Sequence, residues 1–105
     1  MNCKEFFSHV EENFKPEAAI GVNAVYQFSI SGEGGGGWNA TIAGGKCTVR
    51  EGTVDAPDCS VATDVETWMA MVGKSLSPMD AFMKGKLRVK GDMGLGMRLE
   101  SMFLK

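Results

Sequence analysis

Residues 81–105 read AFMKGKLRVKGDMGLGMRLESMFLK, and the way the hydrophobic period changes inside this stretch decides the fold class. Phe82 and Met83 close a short apolar helix, and Gly85 supplies a left-handed cap. Lys86-Leu87-Arg88-Val89-Lys90 then alternates with period two, which predicts a half-buried strand with Leu87 and Val89 turned inward. From Asp92 a second helix is expected, carrying Met93, Leu95, Met97, Leu99, Met102 and Phe103, with only Arg98, Glu100 and Lys105 as charges. A helix apolar around most of its circumference must be covered on two sides, by the core on one and by another body on the other. Seven of the eight Met residues lie between Met69 and Met102. Any one of them reads as core filler, but the cluster reads as an adaptable apolar cavity, because Met re-packs around irregular shapes. Gly94 and Gly96 weaken the first turn of the last helix, so residues 93–104 are expected to form both a wall of the cavity and its movable door.

Working back from this stretch, Ser77-Pro78 is an N-cap followed by proline at the first helical position, and the helix it starts carries Met79, Phe82 and Met83. Before it, Thr63 with Glu66 makes a capping-box pattern, opening a helix whose buried face is expected at Val65, Trp68, Met69 and Val72 and which Gly73 closes. A short strand is expected over residues 59–62. Further upstream, Ala24, Tyr26, Phe28 and Ile30 alternate with more polar positions as one strand. Trp38, Ala40 and Ile42 form the return after the glycine-rich turn, and residues 47–51 answer across Gly44-Gly45 as a third strand. Asn2 and Glu5 suggest a capping box for a first helix, with Phe6, Val10 and Phe14 on one face and Pro16 as its stop. The result is an α+β domain over residues 1–105, with a five-stranded, mostly antiparallel sheet, helices on one face, and a wetter outer face bearing Lys86, Arg88 and Lys90.

Composition narrows the function. Of 105 residues, 44% are hydrophobic and 23% charged, as in ordinary globular chains, and the net charge of -2 gives no reason to expect nucleic acid. No run approaches the ~18 apolar residues of a membrane span. Cys3, Cys47 and Cys59 lack metal or redox spacing and read as buried reduced thiols, which suits the cytoplasm. Gly32, Gly34 and Gly37 fit a phosphate-loop pattern by letter, yet a strand follows where a helix N-terminus would be needed. His9 is the only imidazole, sits among Ser8, Glu11 and Glu12 on the polar side of the first helix, and has no nucleophile motif to serve. No catalytic residue, metal ligand or cofactor is expected. The basic stripe Lys84, Lys86, Arg88 and Lys90 reads first as a solvated strand face and second as an attraction for an anionic membrane surface.

Taken in order, Phe28-Ser-Ile-Ser-Gly-Glu, Gly-Gly-Trp38, Pro57-Asp58-Cys59, Trp68-Met69 and the run from Ala81 to Leu95 resemble the signature of the sterol-carrier, or non-specific lipid-transfer, domain family across nearly the whole chain. The resemblance implies an apolar tunnel between sheet and helices that holds fatty acid, fatty acyl-CoA or a sterol-like lipid, with no covalent chemistry. Its lining falls here on Val61, Trp68, Met69, Val72, Phe82, Met83, Leu87, Met93, Met97 and Met102. The expected protein is therefore a non-enzymatic, monomeric lipid carrier that touches membrane surfaces transiently and binds no nucleic acid. The competing expectation is an accessory module whose apolar cleft packs a protein partner. Peroxisomal members end in a targeting tripeptide, whereas this sequence stops at Phe103-Leu104-Lys105, which points to a cytoplasmic, stand-alone, bacterial-type member.

Overall fold

A computed structural model describes residues 2–104; Met1 and Lys105, the latter one of the charges expected on the last helix, lie outside the described residues. The chain runs α1 (Cys3–Asn13), a 3-10 turn (Pro16–Ala19), β1 (Ala24–Ser31), β2 (Gly36–Ala43), β3 (Lys46–Glu51), β4 (Cys59–Asp64), α2 (Val65–Val72), α3 (Pro78–Met83), β5 (Arg88–Gly91), α4 (Met93–Met97) and a closing π-type turn (Glu100–Leu104). The five strands form one sheet in the order β3-β2-β1-β4-β5, in which only the β1–β4 pair is parallel. This is the expected α+β class, reached through the expected β1–β2–β3 meander.

Strand alternation sets the core. Ala24, Tyr26, Phe28 and Ile30 of β1 are all buried, and the register brings Trp38 opposite Phe28, Ala40 opposite Tyr26 and Ile42 opposite Ala24. Across the parallel pair Phe28 meets Val61, and Val61 in turn meets Val89. On this layer lies α1, started by Asn2, whose side-chain oxygen accepts from the Glu5 amide at 2.8 Å. Its buried face is Cys3, Phe7 and Val10, one residue round from the expected Phe6, Val10 and Phe14. Aromatic packing explains the rotation: the Phe7 ring lies nearly parallel to Trp38 at 4.6 Å and to Trp68 at 5.5 Å, while Phe6 meets Trp68 edge-on.

Two further expectations shift for reasons of hydrogen bonding. Thr63 does not cap α2. It pairs with Ile30 as a strand residue, turns its side chain inward and donates its hydroxyl to the Lys86 carbonyl at 2.8 Å, leaving Asp64 to cap the helix by accepting from the Thr67 amide at 2.7 Å. The inward face of α2 is then Thr67, Trp68 and Met71, with Val65, Met69 and Val72 half-buried beside it. On the outer sheet face Lys86, Arg88 and Lys90 are exposed as expected, but Gln27 and Asn39 are buried beneath the loop that follows β3. Gln27 donates to the carbonyls of Phe28, Trp38 and Gly52 and accepts from the Val54 amide, while Asn39 donates to the Gly52 carbonyl. That part of the face is dry because one loop straps across it.

Candidate functional site

At the β5 edge the chain folds back on itself twice. Ser77 accepts from the Asp80 amide and Pro78 opens α3, as its sequence requires. At the other end Gly85, with φ 73°, reverses the chain so that the amides of Lys86 and Leu87 both donate to the Ala81 carbonyl. Those two donors are spent on ending the helix, so β5 begins at Arg88 and not at Lys86. Asp92 then starts α4 by accepting from the amides of Gly94 and Leu95, and its own amide donates to the Asp58 carbonyl at 2.9 Å.

The expected continuous helix over residues 93–104 is broken. Within α4 the Leu95 carbonyl accepts from the Tyr26 hydroxyl at 2.5 Å and from the Arg98 amide at 3.1 Å, which tightens the helix end. Burial, reinforced by the nearby Cys59, raises the pKa of the Tyr26 hydroxyl, so it stays a proton donor. Beyond the break Leu99, Met102, Phe103 and Leu104 are buried in the core, whereas no residue of α4 is. Nor is Gly96 merely a weak point. A Cβ there would lie 2.7 Å from Cγ1 of Val89, so glycine is what lets α4 settle against β5.

Between α3, α4 and β5 lies an apolar hollow of about 320 Å³, lined by Pro78, Met79, Phe82, Leu87, Val89, Met93, Gly96, Met97 and Glu100. Its walls face solvent: Met79 is 57% exposed, Phe82 44%, Met93 49% and Met97 78%. A second groove, of about 370 Å³, lies between α1 and the closing turn, where Phe6, Val10, Phe14, Val72, Met102 and Phe103 make an apolar floor and His9, Lys15 and Lys74 a polar margin. His9 is exposed and sits 3.5 Å from Glu12.

The ten residues expected to line a tunnel are divided. Phe82, Leu87, Met93 and Met97 are brought together in the β5-edge hollow, while Val72 and Met102 lie in the α1 groove. Val61 and Trp68 are buried in the core and line neither space, and the Trp68 indole N–H has no hydrogen-bond partner among the described residues. Half-buried Met69 accepts a long contact from the Cys3 thiol at 3.9 Å, and Met83, 78% exposed, lines neither space. Sequence reasoning did not put Pro78, Met79 or Val89 at a site, and had Gly96 and Glu100 there only as part of the wall expected over residues 93–104. Met79 carried a usable signal, standing three residues before Phe82 on a helix of six residues with Ala81 alone buried.

The three thiols are buried and free, and burial raises the pKa of each, to about 11 for Cys47 and Cys59. Among the described residues no three His, Cys, Asp or Glu side chains gather as a metal would need, and no helix is long and apolar enough to cross a membrane. What the β5-edge hollow can do is shield apolar surface from water.

Comparison with known proteins adds three findings. The sequence model of the SCP-2 sterol transfer family matches residues 4–104. Hydroxysteroid dehydrogenase-like protein 2 of Xenopus laevis is 35% identical over 98 residues, a match that takes in 92% of this chain and 24% of that protein; the chain thus spans about a quarter of the length of the curated relatives it matches. Among solved structures, the crystal structure of sterol carrier protein 2 like 2 from Aedes aegypti superposes with a TM-score of 0.73 at 27% identity, over 93% of this chain and 89% of that one. The solution structure of the same mosquito protein in palmitated form gives a TM-score of 0.76 at 26% identity, over 96% and 93%.

Proposed function

Because this chain belongs to the SCP-2 sterol transfer family, we propose that residues 1–105 act as one lipid-binding domain that takes up a long-chain fatty acid, its acyl-CoA ester or a sterol-like lipid and carries it without chemical change. The observation that carries this reading is the β5-edge hollow, whose walls are Met, Phe, Leu, Val and Pro side chains with Glu100 as the one ionisable residue. The palmitated form of the mosquito relative supports a fatty acyl chain as cargo.

Energetics limits what such a carrier must do. Burying a 16-carbon chain is worth about 0.8 kcal/mol per methylene, roughly 13 kcal/mol gross against water. Against a bilayer the gain nearly cancels, so transfer depends on how readily the hollow reshapes and opens. Four flexible or apolar walls on short helices suit that task better than the aromatic layer beneath them. The alternative is that the hollow packs a partner's helix, which its open, solvent-facing walls would also permit.

Titration of the delipidated protein with a fluorescent fatty acid, beside native mass spectrometry of protein taken directly from cells, separates the two readings. A saturable signal at one-to-one stoichiometry with lipid adducts in the spectrum is expected. No saturation across fatty acids, acyl-CoA esters and sterols would contradict the carrier and leave the packing module.

A further inference from the structure

Six large hydrophobic side chains stand exposed on the described chain, and five of them, Met79, Phe82, Met83, Met93 and Met97, belong to α3 and α4. Four of the five line the β5-edge hollow, and Met83 extends the patch at the end of α3. A cluster of this kind, left bare on one edge, is a contact surface in search of an occupant. The charge around it says which kind. Residues 78–100 carry Lys84, Lys86, Arg88, Lys90 and Arg98 against Asp80, Asp92 and Glu100, whereas the whole chain has a net charge of -2, so positive charge is concentrated in the same stretch of chain as the exposed apolar side chains.

The topology brings both features to one margin. β5 is one of the two edge strands, paired among the described residues only with β4. Leu87 and Val89 turn toward the hollow, while Arg88 and Lys90 are exposed on the opposite side of the same strand. A flat anionic surface meeting this edge would receive the methionines in its apolar layer and the cations among its head groups. The composition argues against a protein partner. Protein interfaces favour Trp, Tyr and Arg and are poor in Lys, whereas three of the four cations on residues 84–90 are Lys and no Trp or Tyr lies in the patch. Basic residues near an anionic leaflet are attracted to it, and apolar insertion adds to that attraction.

We infer that the α3–β5–α4 edge is a docking face for an anionic lipid bilayer, seated with Met79, Phe82, Met83, Met93 and Met97 in the membrane interface and Lys84, Lys86, Arg88 and Lys90 over its head groups. This rests on the carrier reading above and deepens it, because the mouth of the hollow then opens directly onto the membrane. Long cationic stems lie along the head-group layer while their charges stay wet, which suits the exposed lysines.

The test is flotation with vesicles of phosphatidylcholine alone and of phosphatidylcholine with one-third phosphatidylserine, beside fatty-acid titration in vesicle-free solution. Wild type is expected to float with the anionic vesicles alone and to be released by high salt. Met83→Asp and Lys84→Glu/Lys90→Glu replace exposed residues outside the hollow. Each should reduce flotation at least tenfold while leaving the circular dichroism spectrum and solution titration at wild-type values. Unchanged flotation of both variants, or no flotation of a wild type that binds fatty acid normally, overturns the docking face and leaves the carrier standing. A concentration-dependent dimer in light scattering that Met83→Asp dissolves, without vesicle binding, also overturns it and makes a second copy the occupant. Failure of the solution titration itself counts against the carrier reading, whatever the vesicles show.

Discussion

The two flanks of this sheet are built from different materials. Against β1 and β2 lies an aromatic stack in which Phe7 is held between Trp38 and Trp68, with Phe28 and Phe103 closing it at ring separations of 5.1 to 5.6 Å. Against β5 lie methionines that face solvent around an open hollow. Rings have few rotamers and pack one way; thioether chains have many and pack several ways. On the carrier reading proposed above, one flank holds the fold and the other yields to cargo, so stability and binding should be separable residue by residue.

The hardest blow to that separation falls on the rigid flank. Trp68→Ala removes one side of the stack and is expected to cost about 3–5 kcal/mol by urea denaturation, a large share of a small domain's stability. If Trp68→Ala instead folds normally and loses only lipid, the core and the binding flank have been confused. Next comes the seam between them. Gly96→Ala forces Val89 aside and should cost about 1–3 kcal/mol while lifting α4 from β5; a more stable variant would restore the view of Gly96 as a weak point in a helix. Tyr26→Phe removes the hydroxyl that holds the Leu95 carbonyl, at about 1 kcal/mol, and should speed amide hydrogen exchange in α4 more than in β1.

A fourth variant is electrostatic. The Thr67 amide and hydroxyl beside Asp64 lower its carboxyl pKa. Because the folded value lies below the unfolded one, the cap stabilises the fold above the unfolded pKa, and that contribution is lost as pH falls through the folded value. The difference between wild type and Asp64→Ala, about 1 kcal/mol at neutral pH, should therefore vanish in acid. Smallest on stability is Met97→Ala, within about 0.5 kcal/mol because the side chain is exposed, yet it should measurably weaken fatty-acid binding. Equal losses in both measurements would join the flanks that the comparison separates.

The same contrast explains what could be read from the amino-acid order. Period-two alternation in β1 and β2, the Asn2 and Ser77 caps and the Gly85 reversal all depend on neighbours within a few residues, and all appear in the structure where the pattern put them. At the broken last helix the Leu95 carbonyl is held by Tyr26, a residue 69 positions away, and that contact left no local mark. Thr63 passed for a helix cap because local spacing does not show that β4 extends to Asp64 beside β1. The site suffered most. Ten apolar positions were legible as apolar, but which of them meet in one hollow depends on how α3 and α4 close over β5, and that geometry divides Phe82, Leu87, Met93 and Met97 from Val61 and Trp68.

The central claim is that lipid enters at the β5 edge, and methyl-labelled methionine reads it directly. Protein carrying carbon-13 methyl groups on Met is titrated with oleate, and each resonance is assigned by substitution. Met79, Met93 and Met97 should shift together and saturate at one equivalent, while Met71, buried in the core, stays in place. Shifts confined to Met102, which lines the α1 groove, with Met79, Met93 and Met97 unmoved, would put the lipid on the other side of the molecule and contradict the account.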